Sequence, residues 1–250
     1  MIPASVGFQC PSCVHSAPAP QPVTPAGGSY VSKPYVTYVL IAINVVLFGF
    51  SFLTGVDQAA QEYGMFPPAI AVNGEYWRLL SSAFLHGGIL HILFNMYVLF
   101  VLGPTLERIL GHLRYSVLYI VAALGGAVAS FMFSDILTVS VGASGAIFGL
   151  MGALVVAGRR LRYDITQVLV LLVINVVIGF MSPGVDWRAH LGGLVVGAAV
   201  AAVFVYAPRK GRIMWQWIGV GGIVAVLIVA TIVRTNQIVE LVNMAHQVSA

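Results

Sequence analysis

Apolar residues dominate most of this chain in long unbroken stretches, with neither the two-residue alternation of a half-buried strand nor the polar back of a surface helix. Seven stretches are long enough to cross or nearly cross a bilayer, which takes about 20 helical residues at 1.5 Å each. They cover residues 35–54, 88–103, 115–133, 144–158, 165–181, 189–206 and 215–233. The second and fourth are short for a full span, as expected of helices that begin beneath the surface of a bundle. The pattern predicts an all-α polytopic membrane protein with a seventh, C-terminal helix.

The two ends are different material. Residues 1–34 are rich in Pro, Ala, Ser and Gly ("HSAPAPQPVTPAGGS") and read as a flexible linker. No basic segment followed by an apolar core and a cleavage site precedes them, so they are not read as a signal peptide. Cys10 and Cys13 form a C-x2-C pair, half of a four-ligand zinc site, and His15 is too close to complete a usual ribbon. The pair is read either as a reduced dithiol or as one edge of a larger zinc-binding arm. Residues 234–250 are mildly amphipathic and read as a short tail, after a membrane domain at 35–206 and the extra helix within 207–233.

Composition narrows the function. The chain is 59% hydrophobic and 8% charged, far below the quarter usual for a soluble domain, so it does not face water on all sides. A net charge of +4 is too diffuse for a nucleic-acid surface. The charges work better as topology markers. Lys33, Arg108, Arg114, Arg159, Arg160, Arg162, Arg209, Lys210 and Arg212 all fall on one side of a chain that weaves back and forth. Arg78, Arg188 and Arg234 fall on the other. The positive-inside rule then puts the N-terminus in the cytoplasm and, after seven crossings, the C-terminus outside.

Polar side chains at membrane depth are costly unless they face protein or a watery cavity, so each is a candidate functional group. They are Asn44 in the first run, His86, His91 and Asn95 at the start of the second, Ser144 opening the fourth, and His190 opening the sixth. The second, fourth and sixth runs all begin outside, which gathers His91, Asn95, Ser144 and His190 in one half of the membrane. His91 and Asn95 are four apart and share a helix face, and both offer N–H donors suited to an oxyanion hole. Ser144 sits at a helix N-terminus, where unpaired amides favour negative charge. His190 is the remaining base able to take its proton. Gly142, Gly145, Gly149 and Gly152 in one run, and Gly192, Gly193 and Gly197 in another, permit close approach of two helix backbones.

With "GASGAIFG" around Ser144, "AHLGGLVVG" around His190, "HGGILHILFN" from His86 to Asn95 and "EYWRLLSSAFLH" from Glu75, residues 34–206 resemble the rhomboid intramembrane serine proteases. The resemblance implies a six-helix core, here with an added seventh. It implies that Ser144 is the nucleophile and His190 the base in a dyad without an acidic third member. Asp186, four residues before His190, is read as a surface loop residue. By the same resemblance His91, Asn95 and the Ser144 backbone N–H form the oxyanion hole, and Phe148 stacks on His190 where a tyrosine is frequent. Gly142 and Gly145 support the serine, and His86 is structural, near the cavity mouth. Substrates would be single-pass transmembrane proteins, cut near the external end of the span after a small residue, with no metal or other cofactor required.

Three other classes are weaker. A non-catalytic rhomboid-like membrane chaperone lacks the serine or the histidine, and both are present. A small transporter favours charged helix interiors or internal repeats, and neither is found. A metal or haem site on His86, His91 and His190 lacks the H-x-x-x-H spacing and the carboxylate.

Overall fold

The computed structural model describes residues 2–3, 7–10, 23–181 and 184–249. Cys13 and the linker residues 11–22 lie outside the described residues, and with them the C-x2-C reading. A two-residue antiparallel pair, Ile2–Pro3 with Phe8–Gln9, precedes the helices.

The helices are α1 (Tyr35–Thr54), α2 (Val56–Tyr63), α3 (Pro67–Ala71), α4 (Arg78–Ser81), α5 (Ile89–Leu110), α6 (His112–Phe133), α7 (Ser144–Leu161), α8 (Thr166–Met181), α9 (Trp187–Tyr206) and α10 (Arg212–Ser249). Six of them are long and apolar enough to span a membrane; α8, with 16 residues, is the shorter apolar helix between α7 and α9. The seven runs read from the sequence are therefore seven helices. Helices α6, α7 and α9 form the centre. There Tyr115, Tyr119, Leu150, Met151 and Phe204 are buried, whereas the long apolar side chains of α1 are largely exposed, as on a lipid-facing helix.

Three boundaries differ from the expectation by more than three residues. Helix α5 passes through Pro104 to Leu110 instead of ending at Gly103. The missing proline N–H is tolerated because the last turns are fixed by burial of Leu106, Ile109, Leu110 and Glu107. Helix α10 continues past residue 233 to Ser249, so there is no separate tail from 234. Lastly, the end of the linker is ordered: Thr24, Ala26 and Val31 are buried, and Ala26 N–H donates to the Ile109 carbonyl at 3.3 Å.

That last contact lies at the end of the bundle where the nine basic residues gather. Gln216 of α10, fully buried, donates to the carbonyls of Ala26 (3.0 Å) and Phe204 (2.8 Å) and accepts from Arg114 Nε (2.9 Å). Arg160 lies over the Tyr206 ring. Beside them the fully buried Glu107 caps α1, accepting from Val36 N (3.0 Å), Thr37 N (2.9 Å) and Thr37 Oγ1 (2.7 Å), and pairs with His112 Nδ1 at 2.6 Å. A carboxylate at an N-terminus offsets the helix dipole and satisfies orphan amides.

At the opposite end the excursion between α1 and α5 folds over the bundle. Arg78 organises it, pairing with Glu75 and donating to the carbonyls of Gln61 (2.8 Å) and Gly64 (3.1 Å). The Arg78 guanidinium holds the Glu75 carboxyl below the usual carboxylate range. Arg234 donates to the carbonyls of Phe131 and Ser134, where α6 ends, and Arg188 lies over Trp187. The three basic residues on this side thus each have a local partner.

Glu107→Ala would leave the buried α1 donors unpaired at a cost of about 3 kcal/mol. Thermal unfolding in detergent should show a clear loss, and Glu107→Gln, which keeps one acceptor, a smaller one.

Candidate active site

Helix α7 starts at Ser144, so the amides of Ser144, Gly145 and Ala146 have no partner within the helix. Helix α9 starts at Trp187 and carries His190 in its first turn. The two helices meet backbone to backbone. A Cβ on Gly193 would lie 1.9 Å from the Gly145 carbonyl oxygen, and one on Gly197 would lie 2.3 Å from that of Gly149. No side chain fits in either gap. The contact brings the His190 Nε2 atom to 2.8 Å from Ser144 Oγ, although the residues are 46 apart in sequence.

The imidazole is held from its face. The Phe148 ring, one turn after Ser144 on α7, stacks on it with centroids 4.2 Å apart and planes 11° from parallel. Among the described residues no carboxylate lies within ion-pair distance of His190. Asp186 is not a plain loop residue as expected. It caps α9, accepting from Ala189 N at 3.2 Å, and its other carboxylate oxygen accepts from the Ser130 hydroxyl of α6. An Asp immediately before an apolar run is a helix-start signal, which makes this role legible in "DWRAH". An apolar cavity of about 70 Å³ opens between α8 and α9 beside His190, lined by Val176, Gly179, Leu191 and Leu194.

On the other flank, His91 Nδ1 accepts from the Gly87 backbone N–H at 3.3 Å. In the neutral ring this places the proton on Nε2, which becomes a donor. That nitrogen borders Gly142, whose φ of 139° few side-chain-bearing residues adopt. A Cβ there would lie 2.8 Å from His91 Nε2 and 3.4 Å from Ser144 Oγ. Gly142 therefore keeps open the space between Ser144 Oγ and the His91 ring. Asn95, one turn along α5, is buried with its Nδ2 donor lacking a protein partner among the described residues. His86 packs edge-on against His91, ring centroids 5.1 Å apart, and on its other side meets Phe48. Its ring contact with the site, among the described residues, is with His91. Asn44 is buried but donates to the Leu40 carbonyl of its own helix.

Two anchors that sequence reading missed hold the loop before Ser144. Ser140 and Met65 exchange both backbone hydrogen bonds (2.9 and 3.0 Å), and Gly142 N–H donates to the Ser82 carbonyl at 2.9 Å. Backbone pairing between loops leaves no residue-type signal, which is why neither was legible.

A family model described as the Rhomboid domain matches residues 73–207, which include every one of these groups from Ser82 to His190. The chain belongs to the rhomboid family. It is 36% identical to the rhomboid protease GluP of Bacillus subtilis over 72% of its length, and 35% identical to RHOMBOID-like protein 5 of Arabidopsis thaliana over 64%. It is 29% identical to the rhomboid protease AarA of Providencia stuartii over 71%. The chain spans 36%, 54% and 74% of the lengths of those three relatives. As a rhomboid with several bilayer-length helices, it is a multi-pass membrane protein.

Gly142→Ala would force a methyl group against the His91 ring and strain the backbone. If Ser144 is the nucleophile, its labelling by a fluorophosphonate probe should fall about 100-fold, the scale of a misplacement near 1 Å, with a modest drop in the thermal unfolding temperature from the strained backbone.

Proposed function

We propose that this rhomboid is an intramembrane serine endopeptidase working through a Ser144–His190 dyad. The observation that carries the reading is the 2.8 Å contact between Ser144 Oγ and His190 Nε2, made between separate helices inside a membrane bundle. His190 Nε2 takes the hydroxyl proton as Ser144 Oγ attacks the scissile carbonyl carbon. The resulting oxyanion accepts hydrogen bonds from His91 Nε2–H, the Asn95 amide and the Ser144 backbone N–H. Collapse breaks the C–N bond, and His190 returns the proton to the departing amine. Water, deprotonated by the same imidazole, then hydrolyses the acyl-enzyme and regenerates the serine.

Stacking on Phe148 supplies the orientation that an acidic third residue gives in a triad. Phe148 has no hydroxyl, so it orients by contact alone. The chemistry needs no metal, because base, nucleophile and oxyanion donors are all side-chain or backbone groups. Substrates are single-pass transmembrane proteins. Their helix must unwind locally, since a carbonyl engaged in its own helix cannot enter the oxyanion site. The charge asymmetry supports a cytoplasmic N-terminus, a site opening to the extracytoplasmic side and an extracytoplasmic C-terminus. A non-catalytic chaperone role finds no support in a serine and histidine at bonding distance.

Ser144→Ala and His190→Ala should each abolish cleavage of a reconstituted transmembrane substrate while the proteins remain folded. Normal turnover by either would end the proposal. Asn95→Ala should slow cleavage by about 100-fold, the usual worth of one oxyanion donor. Activity should persist in a strong chelator; its loss there would favour a metal.

A further inference from the structure

On α10, Leu227, Thr231, Arg234, Ile238 and Val242 recur at helical spacing and form one stripe. The part beyond Arg234 packs against the excursion between α1 and α5. Ile238 is 0% exposed and lies in one apolar cluster with Met65, Ile70, Leu79 and Phe131. Just below it, Arg234 donates from Nε to the Phe131 carbonyl at 3.1 Å and from Nη2 to the Ser134 carbonyl at 3.4 Å. The loop that leads from the end of α6 to Ser144 leaves from this point.

The excursion needs such support. Helix α3 has five residues and α4 has four, and helices that short do not persist without tertiary burial. Yet Met65 and Ser82, on either side of them, are the two backbone anchors of residues 140–142. Three joints thus connect α10 to the reactive serine: the Ile238 cluster, the Met65–Ser140 pair, and the short step from Ser140 through Gly142 to Ser144.

We propose that the outer part of α10 is a positioning element of the active site, in which Ile238 and Arg234 fix the excursion and, through Met65, the loop presenting Gly142 and Ser144. The proposal rests on the serine-protease reading given above. Neither residue touches substrate. Both act by limiting the positions available to the oxyanion loop. Tail residues that merely stabilised the bundle would leave the site's geometry unchanged while the protein stayed folded.

The test uses the full chain in detergent or liposomes, well below the unfolding temperature of each variant. Ile238→Ala and Arg234→Gln should slow Ser144 phosphonylation by a fluorophosphonate, and kcat on a transmembrane substrate, by about tenfold, with KM unchanged. Hydrogen exchange at the Met65 and Ser140 amides should quicken, while amides of α9 keep their protection. Ile238→Leu should recover most of the rate, and Leu241→Ala, at a 51% exposed position of the same stretch, should match wild type. Should Ile238→Ala fail to fold, Ile238→Val gives the smaller loss on the same readouts. Wild-type rates and Met65 protection in the Ile238 and Arg234 variants would overturn the proposal, as would an equal loss in Leu241→Ala. Absence of labelling in wild type, with Ser144→Ala as blank, would instead sink the protease reading itself.

Discussion

The structure depends on two helix backbones touching. Where α7 meets α9, carbonyl oxygens of Gly145 and Gly149 occupy the space that side chains at Gly193 and Gly197 would need. In lipid there is no hydrophobic force between helices to repair a looser fit, so contact of this kind is what holds them. The hydroxyl and imidazole come within bonding reach only because the helices carrying them are this close. A single methyl group on Gly193 would push the helices apart, and the loss would be felt at Ser144, Phe148 and His190 together.

Around that contact the polar groups are arranged to leave few unmet demands. At one end Glu107 and Gln216 satisfy helix termini and tie the N-terminal segment to α10. At the other, arginines take up the carbonyls where α6 ends and where the excursion turns. Among the described residues the exceptions include the Asn95 amide and both ring nitrogens of His86, buried on either side of His91 without a protein partner. A buried donor without an acceptor is costly in a resting protein, and under the proposed function the Asn95 donor would be met by the oxyanion.

Much of this was legible in the sequence, for identifiable reasons. Apolar runs long enough to span a bilayer report helices directly, and the first run matched α1 residue for residue. Ser144, His190 and His91 were visible because a polar group at membrane depth has no bland surface explanation. Boundaries failed where tertiary burial outweighed local chemistry: Pro104 reads as a stop, and α5 goes through it. The outer part of α10 reads as a tail because its hydropathy falls, although the stripe through Ile238 continues in register. Asp186 was misjudged although the apolar run after it signals its capping role; only its second partner, Ser130, 56 residues away, leaves no local trace. Backbone anchors such as Met65 with Ser140 leave nothing in the sequence to find.

The two arginines of α10 also act as a gauge. Arg212 and Arg234 sit about 33 Å apart along the helix axis, close to the roughly 30 Å of a typical hydrocarbon core. An isolated helix meets a thinner membrane by tilting. This one is fastened by Gln216 and by Arg234, so in a mismatched membrane it could not tilt independently of the bundle. Only a bilayer thinner or thicker than that separation would therefore be deformed at this helix.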